Sequence, residues 1–133
     1  MLDFRSPDTL PAPFGYSHAV ALPRGARLVY TSGQVGMSPD GSVPDGWEQQ
    51  TRLAFENVGH ALRAAGAGWS DVFKLTYFVT EIEPLPQIRA IRDEFVDTQN
   101  PPTSSLVKVA GLFRPHVLIE IEAIASTSEA SPL

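Results

Sequence analysis

The chain has 133 residues, a net charge of −5 and no cysteine, and these three values exclude several classes of protein. The length suits one domain, and 43% apolar with 19% charged residues is typical of a globular fold. The lack of cysteine excludes disulfides and thiolate-based metal or catalytic sites. The acidic charge and the scattered basic residues argue against nucleic acid as a partner.

The first third of the chain begins with a polar arm and continues in β-type runs. Residues 1–14 are rich in proline and predict an extended, flexible arm. No apolar segment of signal-peptide length follows Met1 and no window suits a membrane span, so we expect a cytoplasmic protein without membrane contact. Residues 16–22 and 27–33 flank a Pro-Arg-Gly turn at 23–25, which predicts a β-hairpin.

A helix is predicted from Trp47, because apolar residues recur at helical spacing from there to Ala65. Asp45 stands just before it and Glu48 follows three residues after Asp45. This arrangement predicts a capping box with Asp45 as the N-cap. The Gly-Ala-Gly segment at 66–68 is predicted to end the helix, since glycine commonly follows a helix C-terminus.

The next segment predicts a strand and a second helix. Residues 72–80 are β-branched and aromatic, with the apolar side chains at 73, 75, 77 and 79 on one face. Pro84 suits the first turn of a helix whose apolar stripe runs from Leu85 to Phe95. Asn-Pro-Pro at 100–102 ends that helix.

The last part of the chain predicts two further strands, at residues 104–110 and 117–125, and a polar tail at 126–133 that we expect to fray. The predicted order of elements is therefore β-β-α-β-α-β-β. No repeat or linker interrupts it. We expect a single domain over residues 1–133, with its core at about 12–125.

The predicted sheet has one face that nothing in the chain covers. Each helix lies between strands, and right-handed crossovers place both helices on the same face. In the final strand, one side carries Val117, Ile119, Ile121 and Ala123, and the other carries Leu118, Glu120, Glu122 and Ile124. Neither side is the polar row of a solvated sheet. We interpret the bare face as one that packs against copies of itself, and the alternative is a tolerated, partly apolar surface.

Several short motifs follow one another along residues 12–125. They are Pro-Phe-Gly-Tyr-Ser-His-Ala-Val at 13–20, Thr-Ser-Gly-Gln-Val at 31–35, Gln-Thr at 50–51, Asn-Val at 57–58, Ala-Ala-Gly at 64–66, Asp-Val-Phe-Lys at 71–74, Asn-Pro-Pro at 100–102 and Ile-Glu-Ile-Glu-Ala-Ile-Ala at 119–125. In this order they resemble the RidA/YjgF family of reactive-intermediate deaminases, which is also labelled endoribonuclease L-PSP.

The resemblance implies an α+β fold of the chorismate-mutase type, a single mixed sheet with two helices packed on one face. It also implies a homotrimer with a central barrel of sheets and a cleft at each subunit boundary. Family members hydrolyse enamines or imines, chiefly 2-imino acids, to ketones and ammonia. They use no metal and no other cofactor, so we expect a small-molecule substrate, no cofactor and no metal site.

The chain departs from the family where the substrate carboxylate is bound. The family pattern Pro-x-Arg-Ser-x-Val reads Pro-Thr-Ser-Ser-Leu-Val at 102–107 here, so that Ser104 replaces the arginine and Leu106 replaces a common cysteine. An arginine fork suits a carboxylate, and losing a charge-assisted contact weakens binding by about 1.5–3 kcal/mol. We therefore expect an altered substrate. Arg114, Lys108 or His116 is a candidate replacement cation, although a solvated turn charge is the simpler account.

The remaining site residues are assigned by the same resemblance. Glu120 matches the acid that positions the hydrolytic water and passes protons to the leaving ammonia. Glu122 lies on the same strand face, and we interpret it as structural. Tyr16, Ser32 and Gly33 match positions that line the family pocket, although Tyr16 also suits a core and Gly33 a purely conformational role.

Three hypotheses for function follow. The first is a deaminase-like hydrolase for an imine or enamine that depends less on a carboxylate clamp. The second is a non-catalytic trimer that binds a small molecule or acts as a chaperone, because fold does not fix function. The third is a ribonuclease, which only the family label suggests and which the acidic charge disfavours.

Overall fold

The main feature of the computed structural model, which describes residues 1–127, is a five-stranded mixed sheet with two helices on one face. The elements in chain order are β1 (Asp3–Arg5), β2 (Ala19–Ala21), β3 (Arg27–Tyr30), β4 (Gln34–Val35), α1 (Trp47–Ala64), a 3₁₀ turn (Trp69–Asp71), β5 (Val72–Val79), α2 (Leu85–Arg92), β6 (Thr103–Lys108) and β7 (Ile119–Thr127). The sheet order is β3-β7-β5-β6, and β4 pairs with β7. The predicted fold class and element order are confirmed, with β1 and β4 as additions.

The core lies between the sheet and the two helices. β7 runs antiparallel to β5, and the register places Ile121 opposite Tyr77 and Ile119 opposite Val79. All four side chains are buried on the helix side, where Phe55 of α1 packs against the Tyr77 ring. Deleting a buried aromatic of this kind typically destabilises a domain by about 3–5 kcal/mol.

The predicted hairpin between residues 16–22 and 27–33 is wrong. β2 pairs with β1, and β3 pairs with β7 in the main sheet. The turn at 23–25 exists, with the Ala26 amide donating to the Pro23 carbonyl over 3.3 Å, but it joins two different sheets. The sequence of a turn determines where the chain reverses direction, but it does not determine which strands pair with each other. The predicted arm is consequently ordered in part, because β1 lies within it.

For helix α1 the sequence prediction is wrong at the N-terminus and confirmed at the C-terminus. The predicted N-cap Asp45 is wrong, because Gly46 is the N-cap with φ +86° and no side-chain capping bond forms. The chain turns at this glycine, so the carboxylate of Asp45 comes one residue too early to cap the helix. At the other end the prediction is confirmed. The Ala67 amide donates to the Leu62 carbonyl over 2.9 Å, which is the Schellman arrangement around Gly66.

The second half of the chain follows the predicted strands with shifted ends. The strand predicted at 104–110 is Thr103–Lys108, and the one predicted at 117–125 is Ile119–Thr127. The first two residues of the predicted tail therefore belong to β7, and residues 128–133 lie outside the described part of the chain. None of the helices within residues 1–127 is long and apolar enough to cross a membrane.

The face of the sheet opposite the helices has no cover from residues 1–127. On β7 the predicted alternation is confirmed, since Ile119, Ile121 and Ala123 are buried while Glu120 and Ile124 are partly exposed. Tyr30, which pairs with Ile124, is 68% exposed. This surface, called the bare face below, mixes apolar and acidic side chains.

Candidate active site

A pocket of about 170 Å³ lies between α2, the outer strand β6 and the segment that precedes β2. Its lining residues are Phe14, Tyr16, Tyr77, Leu85, Ile88, Arg89, Arg92, Ser104, Ser105 and Leu106. Three residues assigned by the family resemblance, Tyr16, Ser104 and Leu106, therefore meet in one place. They come from two segments that lie far apart in the sequence.

Tyr16 reaches the pocket because the next residue is fixed to the start of β6. The Ser17 amide donates to the Pro102 carbonyl over 3.1 Å, and the Ser17 hydroxyl donates to the Pro101 carbonyl over 2.6 Å. Ser17 also forms a parallel bridge with Thr103, and only 5% of it is exposed. The loop before β2 is thus held beside the sheet edge, where Tyr16 forms one wall of the pocket.

Ser104 and Leu106 face the pocket because of the β5–β6 register. The two strands are parallel, and Leu75 stands beside Ser104 and Tyr77 beside Leu106. Residues in register share a face, so Ser104 and Leu106 lie on the helix side of the sheet. In this position Ser104 offers a neutral hydroxyl, at the point where the family resemblance implies an arginine.

The Tyr77 hydroxyl is buried at the pocket and has no hydrogen-bond partner among residues 1–127. Burial raises the pKa of Tyr77, and the positive charge of Arg92 opposes that shift. The hydroxyl therefore stays protonated at neutral pH. A buried donor left unpaired typically destabilises a fold by about 1–3 kcal/mol.

Two arginines of α2 line the pocket, and the sequence reasoning missed both. Arg92 is only 8% exposed, and Arg89 lies over the Phe14 ring at 5.4 Å from its centroid. A signal was present: Arg92 follows Ile88 by four residues, which places it on the apolar stripe of the helix. An arginine on a core-facing stripe has to face either a partner or a cavity.

The other predicted site residues form a separate group on the bare face. Glu120 pairs with Phe78 across the β5–β7 register, and its carboxylate lies directly against Gly33. Ser32 is exposed next to Gly33. Tyr77 and Glu120 occupy neighbouring register positions but point to opposite faces of the sheet. A single copy of the chain therefore presents Tyr16, Ser104 and Leu106 in the pocket and Ser32, Gly33 and Glu120 elsewhere.

The three candidate replacement cations do not line the pocket that holds Ser104. Arg114 donates to the Gly41 carbonyl over 2.9 Å and lies over the Phe113 ring. Lys108 forms an exposed ion pair with Glu81 at 3.7 Å, and His116 is exposed. Within residues 1–127, the cations that line the pocket with Ser104 are Arg89 and Arg92 of α2.

Comparison with known proteins decides the family. The family model described as endoribonuclease L-PSP matches residues 8–127. This chain belongs to the RidA/YjgF family. The resemblance drawn from the sequence motifs is thereby confirmed.

Individual RidA/YjgF relatives are similar to this chain in sequence. TdcF of Escherichia coli strain K12, named among the reactive intermediate deaminases, is 38% identical over 104 residues, which is 76% of this chain and 80% of TdcF. The 2-iminobutanoate/2-iminopropanoate deaminase of Rattus norvegicus is 36% identical over 118 residues, covering 86% of this chain and 82% of the rat protein.

Solved structures of RidA/YjgF proteins match the fold over almost the whole chain. The Rid family protein YyfB from Yersinia pestis gives a TM-score of 0.80 at 32% identity, covering 95% of this chain and 98% of that one. E. coli TdcF with bound serine gives a TM-score of 0.71 at 35% identity, covering 95% and 99%.

Proposed function

We propose that this protein hydrolyses an imine or enamine to a carbonyl compound and ammonia, in a cleft completed where two subunits of a homotrimer meet. The observation that carries the proposal is the division of the site residues into two groups. The pocket of one subunit contains Tyr16 and Ser104, whereas Glu120 lies against Gly33 on the bare face. A neighbouring copy that packs on the bare face would bring its pocket to this carboxylate.

The chemistry requires a group that takes a proton from water and later delivers one to nitrogen. Water adds to the carbon of the protonated imine while the Glu120 carboxylate accepts one of its protons. The resulting carbinolamine receives that proton on nitrogen. The carbon–nitrogen bond then breaks, the hydroxyl proton passes to the Glu120 carboxylate, and ammonia leaves as the carbonyl forms. An enamine first takes a proton on carbon and then follows the same path. A general acid–base of this kind contributes about 10²–10⁴-fold in rate.

The rat relative is named for 2-imino acids, and this supports imine chemistry for the chain. Ser104 in place of the family arginine supports a changed mode of substrate recognition. Strand β6 offers a hydroxyl at this point, so a carboxylate held by β6 in the family needs another partner here.

The test is ammonia release from a panel of imines generated in situ, for the wild type, Glu120→Gln and Ser104→Arg. We expect Glu120→Gln to lower the rate by about 100-fold or more, because the amide cannot accept the water proton. Glu122→Gln is the matched control, since it lies two residues along the same strand face and should keep most of the activity. Turnover of no panel member above the rate in buffer would contradict the proposal.

A second candidate function is ligand binding without catalysis, and the loss of the arginine at position 104 favours it. A thermal-shift screen distinguishes the two. A compound that raises Tm and is recovered chemically unchanged supports binding alone, whereas one that raises Tm and is consumed supports the hydrolase.

A further inference from the structure

The chain contains a β-bulge between β3 and β4, opposite β7. On one side of the bulge Tyr30 pairs with Ile124, and on the other side Gln34 pairs with Ile121. Three residues of the β3–β4 segment therefore stand against two residues of β7. An extra residue of this kind bends a strand and often re-aims a side chain beside an active site. Gly33 is one of the three residues in the bulge.

Thr31 holds the bulge on the β3 side. Its amide donates to the Ala123 carbonyl over 3.0 Å, and its hydroxyl accepts from the Ala123 amide over 3.0 Å. In a regular antiparallel ladder the Ala123 amide would donate to the Thr31 carbonyl. The threonine side chain takes the place of that carbonyl, and this leaves the peptide after Thr31 free to turn into the bulge. Ala123 is only 1% exposed, so bulk water is no alternative partner for its amide.

Asn57 of helix α1 holds the bulge on the β4 side. Its side-chain Nδ2 donates to the carbonyl of Val35 and to the carbonyl of Met37, both over 2.9 Å. Both hydrogens of the amide group are used in this way. Val35 is the register partner of Glu120 on β7. The strand beside Glu120 is therefore tied to the long helix through one side chain.

The bulge determines where the Glu120 carboxylate stands. That carboxylate lies directly against Gly33, where an added Cβ would overlap it. We infer that Thr31 and Asn57 are positioning residues, which fix the bulge and thereby hold the carboxylate of Glu120 in one place. The inference rests on the proposed function only for the chemical role of Glu120.

The experiment is a double-mutant cycle on imine hydrolysis with Thr31→Val and Glu120→Gln. Valine keeps the branched shape of threonine and removes the hydroxyl. We expect Thr31→Val to lower kcat by about 10- to 100-fold with little change in KM. In the Glu120→Gln background it should cause no further loss, because two residues that act through one group are not additive. Thr31→Ser, which keeps the hydroxyl, should restore most of the rate.

Equal losses of kcat from Thr31→Val in the two backgrounds would overturn the inference, since an effect on the fold alone does not depend on Glu120. A Thr31→Ser variant as slow as Thr31→Val would also overturn it, because the bond to the Ala123 amide would then have no part in the rate.

Asn57→Ala is the second variant, because a buried amide without an acceptor could unfold Thr31→Val. Asn57 is only partly buried, and we expect its replacement to lower kcat and leave KM nearly unchanged. Asp71→Ala is the matched control. Its carboxylate accepts from the Gly68 amide over 2.9 Å, at the end of β5 away from Glu120. The control should lower Tm and keep kcat, and equal losses of kcat in both variants would contradict the role of Asn57.

Crystal structures of the wild type and of Thr31→Val separate this inference from the proposed function. A Glu120 carboxylate that leaves Gly33 in the variant supports the inference, whether or not any imine is turned over. A carboxylate that stays in contact with Gly33 overturns it and leaves the hydrolase standing. Absence of turnover by the wild type refutes the hydrolase alone.

Discussion

Gly33 has no side chain, and this allows the carboxylate of Glu120 to lie directly against it. The carboxylate of Glu120 packs on its Cα so closely that a Cβ would overlap Oε2 and the carboxyl carbon. Gly33 has no left-handed backbone angle, so its role is the close approach of the carboxylate and not an unusual turn. The family motif around Gly33 therefore has a direct physical link to Glu120.

We expect Gly33→Ala to displace the Glu120 carboxylate and lower imine hydrolysis by about 10- to 100-fold, since small misplacements of a catalytic group have effects of this size. The backbone allows alanine here, and the clash involves a movable side chain, so Tm should change little. Gly111→Ala is the control, because nothing lies within 4 Å of its added Cβ. Full activity in Gly33→Ala would contradict this account of the carboxylate.

The sequence predicted part of the candidate site and missed the rest for a physical reason. Tyr16, Ser104 and Leu106 could be placed together because motif resemblance carries positions from a known arrangement. Arg89 and Arg92 lie in a segment with no motif, and arginines on a helix are mostly solvated. Only the folded structure, in which a pocket separates α2 from β6, shows that they face a cavity.

At the scale of elements, the end of α1 is determined by one glycine. Gly66 has φ +82°, a conformation that L-residues adopt at a cost, and it allows the Ala67 amide to reach the Leu62 carbonyl. This turn directs the chain into the 3₁₀ segment and then into β5. The same helix supplies Phe55 and Leu62, both fully buried, to the core.

Gly66→Ala is expected to lower the free energy of unfolding by about 1 kcal/mol, because alanine is strained at a positive φ. Chemical denaturation measures the change. Gly68→Ala, two residues on, is the matched control, since its backbone is extended and no atom lies near its added Cβ. A larger effect at Gly68 than at Gly66 would show that the turn is not the source of the stability.

The elements that the sequence predicted well are those with long periodic patterns. Helix α1 and strand β7 follow from repeated apolar spacing. Two details of their neighbours were wrong: α2 ends at Arg92, before the predicted stop at 100–102, and a register shift between Val72 and Lys74 takes Phe73 off the buried face of β5. The hairpin at 16–33 failed because its residues are recruited elsewhere, Ser17 to β6 and β3 to β7. Short strands contain too few residues to specify their partners, so tertiary contacts decide the pairing.

At the scale of the whole molecule, the important fact is that the two groups of site residues lie on opposite sides of one sheet. The pocket opens on the helix side at β6, and Glu120 lies on the bare face of β7. A sheet is too thick for one copy to bring these groups to the same substrate. The proposed trimer solves this by joining the pocket of one copy to the carboxylate of another.

Mixing two inactive variants should therefore restore activity. Ser104→Trp, whose indole would fill the pocket, keeps an intact Glu120, and Glu120→Gln keeps an intact pocket. If the variants are unfolded together and refolded as mixed trimers, about one site in four pairs two intact halves. We expect imine hydrolysis to reappear in the mixture and not in either variant refolded alone. Absence of recovery in verified mixed trimers would place both halves of the site in one subunit.

The outer edge of strand β6 affects the tendency of a single copy of the chain to aggregate. Within residues 1–127 only Thr103 on its outer side is bridged, by Ser17, so most of this strand presents free amide and carbonyl groups. Such an edge can recruit a strand from another chain and start β-linked aggregation. Two prolines stand before β6 and Lys108 ends it, residues that natural proteins use to blunt sheet edges, so the length open to mispairing is only a few residues.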